Sequence, residues 1–99
     1  MKSGYNVYWT NNALKELAET IHYLKVHFSD KEIKKLAIKI ESTISLIAQN
    51  PNIFQKSEYK NVYRAILLRN NTLYYRVNNH SIEILSFFSN RQNPGKRKL

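Results

Sequence analysis

The stretch "VYRAILLRNNTLYYRVNNHSIEILSFF", Val62 to Phe88, decides the fold, because here the apolar spacing changes to a period of two. It divides into three strand candidates, Val62–Arg69, Thr72–Val77 and Ser81–Phe88, separated by Asn70-Asn71 and by Asn78-Asn79-His80. Asparagine tolerates the left-handed backbone of tight hairpin turns, so the spacing predicts an antiparallel meander. Alternation then assigns faces. Leu73, Tyr75 and Val77 share one side, against a covering layer, while Tyr74 and Arg76 share the other. Arg64 shares its side with Val62, Ile66 and Leu68. The uncovered face therefore carries two arginines among aliphatic side chains, a combination that a partner ordinarily covers.

Working back toward the start, "YNVYW" (Tyr5–Trp9) is aromatic and β-branched and reads as a first strand, after which Thr10 or Asn11 can cap a helix. Leu14, Leu17, Ala18, Ile21, Leu24 and Phe28 then fall at the three-and-four spacing of one buried stripe. Ser29 and Glu32 fit a capping box at the start of a second helix. Its stripe is Ile33, Leu36, Ala37, Ile40, Ile44 and Ile47, and Asn50-Pro51 stops it. With about three residues between them, the two helices must run antiparallel. The expected class is α+β in the order β-α-α-β-β-β: an N-terminal strand, then an antiparallel helical hairpin packed on one face of a twisted, mainly antiparallel sheet. Residues 1–99 are expected to form a single domain with a flexible basic tail at 95–99.

Ninety-nine residues allow one modest core, and the chain has no cysteine, so disulfides and thiolate chemistry are excluded. No apolar run reaches the roughly 18 residues that span a bilayer, and "MKSGYNVYWTNN" does not read as a signal peptide. A cytoplasmic protein that does not engage a membrane is expected. The net charge is +9, of which residues 56–99 contribute +7 and residues 1–55 only +2. Such a field favours a polyanionic partner, either nucleic acid or an acidic protein segment.

Several chemistries find no support. The only glycines are Gly4 and Gly95, so no phosphate-cradling loop is present. Glu19-x-x-His22 has metal-like spacing but no second copy, and Asp30 is the sole aspartate. No metal or other cofactor is expected. Arginine, lysine and tyrosine remain, and these can cleave RNA without a metal when guanidinium groups stabilise phosphoryl charge and a neighbour moves the proton. Arg64, Arg76 and Arg91 are candidate phosphate ligands, and Tyr63, Tyr74 or Lys60 candidate proton-transfer groups. The alternative is that the same basic residues keep the face soluble or pair with an acidic partner.

The strand ending in "YW", the helical hairpin, the "NP" break and then "YRAILLRNNTLYYRVNNHSIEILSFFSNRQNP" resemble the RelE/ParE superfamily of toxins from type II toxin-antitoxin systems, which includes plasmid stabilisation proteins. The resemblance covers residues 5–94 and implies a partly open sheet with two helices on one side. It also implies an acidic antitoxin, encoded by a neighbouring gene, that wraps the toxin in a hetero-oligomer. Two functional branches are implied. RelE-like members cleave mRNA on the ribosome with a basic cluster on the sheet, whereas ParE-like members lack that cluster and poison DNA gyrase. Carried over by position, Arg64 and Arg91 match catalytic basic residues, and Lys60, Arg64, Arg76 and Arg91 form the candidate surface for nucleic acid or antitoxin. Two departures stand out: Ile66 and Thr72 occupy positions where the nuclease branch often has basic residues. "QNPGKRKL" also holds no tyrosine, histidine or glutamate for late proton transfer, although Glu58, Tyr59 or Lys60 can substitute. The expected function is a growth-arresting toxin, with preference for the gyrase-directed branch and a ribosome-dependent mRNA endonuclease as the alternative. An inactive antitoxin-binding module is a third, lower alternative.

Overall fold

The computed structural model describes residues 4–68 and 71–89. Its elements are β1 (Asn6–Trp9), α1 (Asn11–His27), α2 (Asp30–Gln49), β2 (Gln55–Lys56), β3 (Tyr63–Ile66), β4 (Asn71–Asn78) and β5 (Ser81–Ser89). The strands form one sheet in the order β1-β5-β4-β3-β2. β1 lies parallel to β5, and the remaining pairs are antiparallel. The α+β expectation therefore holds, with one short extra strand. Arg91 and the 95–99 tail lie outside the described residues.

The core forms between the helices and one sheet face. Leu73 and Tyr75 of β4 meet Ile82, Ile84 and Phe87 of β5, with Leu24 of α1 and Leu36 and Ile47 of α2 above them. Full burial of each such aliphatic or aromatic side chain contributes about 1.5–3 kcal/mol. Alternation placed Leu73, Tyr75 and Val77 correctly. Leu68 is a correction. β3 ends at Ile66, the two-residue period lapses there, and both Leu67 and Leu68 turn into the helix-side core.

The helical stripes are also narrower than the sequence suggests. On α1 the buried residues are Ala13, Thr20 and Leu24, whereas Leu14, Ala18 and Phe28 are exposed. Thr20 can sit in the apolar face because its hydroxyl donates to the Glu16 carbonyl at 3.0 Å, which removes the cost of an unpaired buried donor. On α2, Leu36 and Ile47 are buried, Ile33, Ile40 and Ile44 are half-buried, and Ala37 is exposed. The hairpin turns through two residues, Phe28 and Ser29. The Ser29–Glu32 capping box does not form: the Ser29 side chain makes no cap bond, and the Glu32 carboxylate reaches forward to Lys35 at 3.9 Å.

β5 outruns β1, and this fixes where α1 sits. β1 pairs with Ser81 through Ile84 only, so among the described residues the outer edge of β5 beyond that point has no strand neighbour. Side chains from the start of α1 cover it instead. The Thr10 hydroxyl donates to the Ile84 carbonyl at 2.9 Å and accepts from the Ala13 amide, which caps the helix with the same oxygen. The Asn12 amide donates to the Leu85 carbonyl at 3.0 Å. Glu16 Oε1 accepts from the Phe87 amide at 2.9 Å and the Ser86 hydroxyl at 2.7 Å. An open β edge is a template for unwanted pairing, and here a helix closes it.

Candidate functional site

The sheet face turned away from the helices is the candidate site. Along β3 and β4 it carries Arg64 opposite Tyr74, and Ile66 opposite Thr72. The register of β5 shifts between Tyr74 and Tyr75, leaving Leu85 without a cross-strand partner. Such a bulge re-aims neighbouring side chains. As a result Val62, Tyr74 and Phe88 form a second, smaller apolar cluster on this face, with Tyr59 and Leu85 packed against it.

A rigid loop borders that cluster. The Ser57 hydroxyl donates to the Val62 carbonyl at 2.8 Å and accepts from the Tyr59 amide at 3.0 Å. Asn61 takes a left-handed backbone, φ 57°, which asparagine adopts more readily than most residues. The turn therefore exposes Lys60 and lays the Tyr59 ring edge-on against Tyr74, with centroids 5.9 Å apart. A groove of about 430 Å³ results, lined by Thr10, Asn12, Tyr59, Val62, Arg76 and Leu85.

The arginines of this face differ. Arg76 is exposed, and its Nε and Nη2 donate to Glu83 Oε1 at 3.1 and 2.8 Å. Asn78 Nδ2 donates to the same oxygen at 3.0 Å. Arg76 is thus neutralised across the strands by a pair that contributes only about 0.2–1 kcal/mol at such exposure. Arg64 is half-buried, and its Nε is buried with no hydrogen-bond partner among the described residues. An unsatisfied buried donor of a charged group is costly, and among the described residues the half-buried Arg64 has no carboxylate beside it, whereas Arg76 already has Glu83.

The proton-transfer candidates scatter. Tyr63 lies on the helix side of β3, stacked on Tyr75 with centroids 5.2 Å apart, and its hydroxyl donates to Asn52 Oδ1 at 2.7 Å. Sequence alternation already contained this, since Tyr63 must point opposite to Arg64. Tyr75 is fully buried, with its hydroxyl donating to the Pro51 carbonyl at 2.7 Å. Burial, reinforced by neighbouring Tyr63 and opposed by a backbone hydrogen bond, pushes its pKa up to about 12. Tyr74 shares the Arg64 face but is almost wholly buried. Among the described residues no group of three potential metal ligands exists. The surface brought together is one under-satisfied guanidinium beside an apolar, aromatic groove, suited to binding an acidic or phosphate-bearing partner.

An open mixed sheet under a helical hairpin, its first strand parallel to its last, is the architecture of RelE/ParE-like toxins. The family model for the ParE toxin of the type II toxin-antitoxin system parDE matches residues 7–94, and the chain belongs to that family. It is a type II toxin. The structure resembles a chain of the chromosomal ParDE toxin-antitoxin system from P. aeruginosa, with TM-score 0.75 at 22% identity over 86% of this chain and 95% of the other. It also resembles a chain of the E. coli DinJ-YafQ toxin-antitoxin complex, with TM-score 0.60 at 11% identity over 93% and 99% of the two chains. A conserved hypothetical protein from Helicobacter pylori, HP0894, gives TM-score 0.57 at 15% identity over 88% and 96%. A comparison with curated proteins finds no match. Among the described residues, no helix is long and apolar enough to cross a membrane.

Proposed function

We propose that this toxin arrests growth by binding DNA gyrase and trapping cleaved DNA, and that a cognate acidic antitoxin neutralises it by covering the open sheet face. The observation that carries the choice of target is the Ile66–Thr72 pair. Cleaving RNA without a metal requires several cationic groups around one phosphate, together with a proton acceptor and a donor. Here two of the positions that would supply charge hold an aliphatic side chain and a hydroxyl, and Arg76 is spent on Glu83. A surface of this kind binds rather than cuts. Arg64 is its anchor, receiving a carboxylate of the antitoxin or a phosphate of gyrase-bound DNA, with exposed Lys60 contributing charge nearby, and Arg91 is a further contact proposed from the sequence alone.

The supercoiling assay tests this. Purified toxin at micromolar concentration inhibits gyrase supercoiling or accumulates cleaved DNA, and preincubation with antitoxin abolishes the effect. Absence of both effects would remove the gyrase reading. One observation favours the ribosome instead, namely the half-buried Arg64 guanidinium on the open face, which has no carboxylate partner among the described residues and suits a phosphoryl oxygen. New mRNA 5′ ends appearing on induction, and lost in Arg64→Ala, would establish that alternative.

A further inference from the structure

The outward face of α2 combines exposed lysines with an exposed isoleucine, and neither the fold nor the open-face site uses it. Lys31, Lys34, Lys35 and Lys39 are all exposed, and Lys34 and Lys35 stand one turn before Ile38, which at 68% is the most exposed of the described large hydrophobic side chains. At 100° per residue, Lys31, Lys34, Lys35 and Ile38 fall on the side of the helix opposite Leu36 and Ile47, and Lys39 lies on the flank that carries Glu32. The segment's carboxylates are fewer, and of the exposed ones Glu41 stands one turn beyond Ile38, on Lys34's side of the helix. Glu32 lies toward the buried side, in its 3.9 Å contact with Lys35, and Asp30 lies along the other flank. Two turns further on, Leu46 adds a second exposed apolar side chain.

We infer that this face docks the toxin onto an acidic protein surface bearing an apolar notch, and that this contact belongs to the target rather than to the antitoxin. It rests on the reading of the chain as a toxin that acts by binding. The chemistry selects a protein. A helix that tracks DNA phosphates has no use for an exposed isoleucine followed by a glutamate among its lysines, whereas protein interfaces place an apolar anchor beside mixed charge. The lysines complement carboxylates around the notch and speed the encounter. Because α2 covers the opposite side of the sheet from Arg64, a toxin held by antitoxin on the open face still presents Ile38.

The test is induction in cells of Ile38→Asp, Ile38→Leu, Lys31→Glu/Lys35→Glu and, as a charge control on α1, Lys15→Glu. Each purified variant is checked for native circular dichroism and for co-elution with the cognate antitoxin. Growth arrest falls at least about tenfold in Ile38→Asp and in the double lysine variant, survives in Ile38→Leu and Lys15→Glu, and antitoxin co-elution is retained in all. Unchanged arrest in folded Ile38→Asp would overturn the inference. Lost antitoxin co-elution would also overturn it, by assigning the face to the antitoxin. Duplex-DNA affinity that falls with the lysines while Ile38→Asp still arrests growth would assign the face to nucleic acid instead. Gyrase assays on the same proteins separate the two proposals: a wild type that arrests growth without inhibiting gyrase removes that target and leaves the growth results to decide the docking face.

Discussion

Ile66 on β3 lies directly opposite Thr72 on β4, on the sheet face that carries Arg64. The two departures from the nuclease pattern are therefore cross-strand neighbours, and together they leave an uncharged strip beside the guanidinium. Ile66 is 59% exposed and Thr72 half-buried, so a lysine at 66 is accommodated at the surface and one at 72 reaches solvent along the same face. The Ile66→Lys/Thr72→Lys double variant is expected to bind single-stranded RNA more tightly. The slope of log K against log salt steepens by about 1.4 if both charges meet phosphates. Titrations at several salt concentrations measure it; an unchanged slope would show that this strip does not face nucleic acid.

Arg64 and Arg76 are expected to behave differently. Arg64→Ala lowers antitoxin affinity by about tenfold or more, as loss of a charge-assisted hydrogen bond worth roughly 1.5–3 kcal/mol requires. Arg76→Ala, already paired with Glu83 and exposed, changes both affinity and stability by less than about 1 kcal/mol. Calorimetric titration of the two variants against the antitoxin checks the contrast.

The meander and its buried face were legible because alternation is local: Leu73, Tyr75 and Val77 need only their own strand to be placed. The Arg76–Glu83 pair was legible in principle. Pairing of Asn78 with Ser81 across the turn implies Arg76 opposite Glu83 by simple counting. What no local pattern carries is the parallel docking of β1 beside β5, or the use of Glu16 to cover the β5 edge, since both depend on residues about seventy positions apart. Thr20 and Ser57 were missed for another reason: their hydroxyls are satisfied inside the fold, so polar residues occupy places that a hydrophobic pattern leaves blank.

Glu16 is expected to matter for stability. Glu16→Ala leaves the Phe87 amide and Ser86 hydroxyl without their acceptor and costs about 2–4 kcal/mol, read from denaturant midpoints. Hydrogen exchange at Phe87 accelerates in parallel.

Tyr75 sets an alkaline limit. Its folded pKa of about 12 lies above the ordinary 10.0, so the unfolded chain loses this proton first as pH rises. Its contribution is complete below pH 10 and is lost between about pH 10 and 12, amounting to roughly 2–3 kcal/mol by linkage. Tyr75→Phe is expected to lose about 1 kcal/mol at neutral pH, with the Pro51 hydrogen bond, and to show a shallower decline above pH 10. Stability against pH for both proteins decides it.

Whether this face binds or cuts is decided by inducing the toxin and mapping DNA breaks and new mRNA 5′ ends in the same cells. A toxin that binds gyrase is expected to give gyrase-dependent DNA breaks without new mRNA 5′ ends. Codon-positioned mRNA 5′ ends without DNA breaks would contradict the gyrase reading.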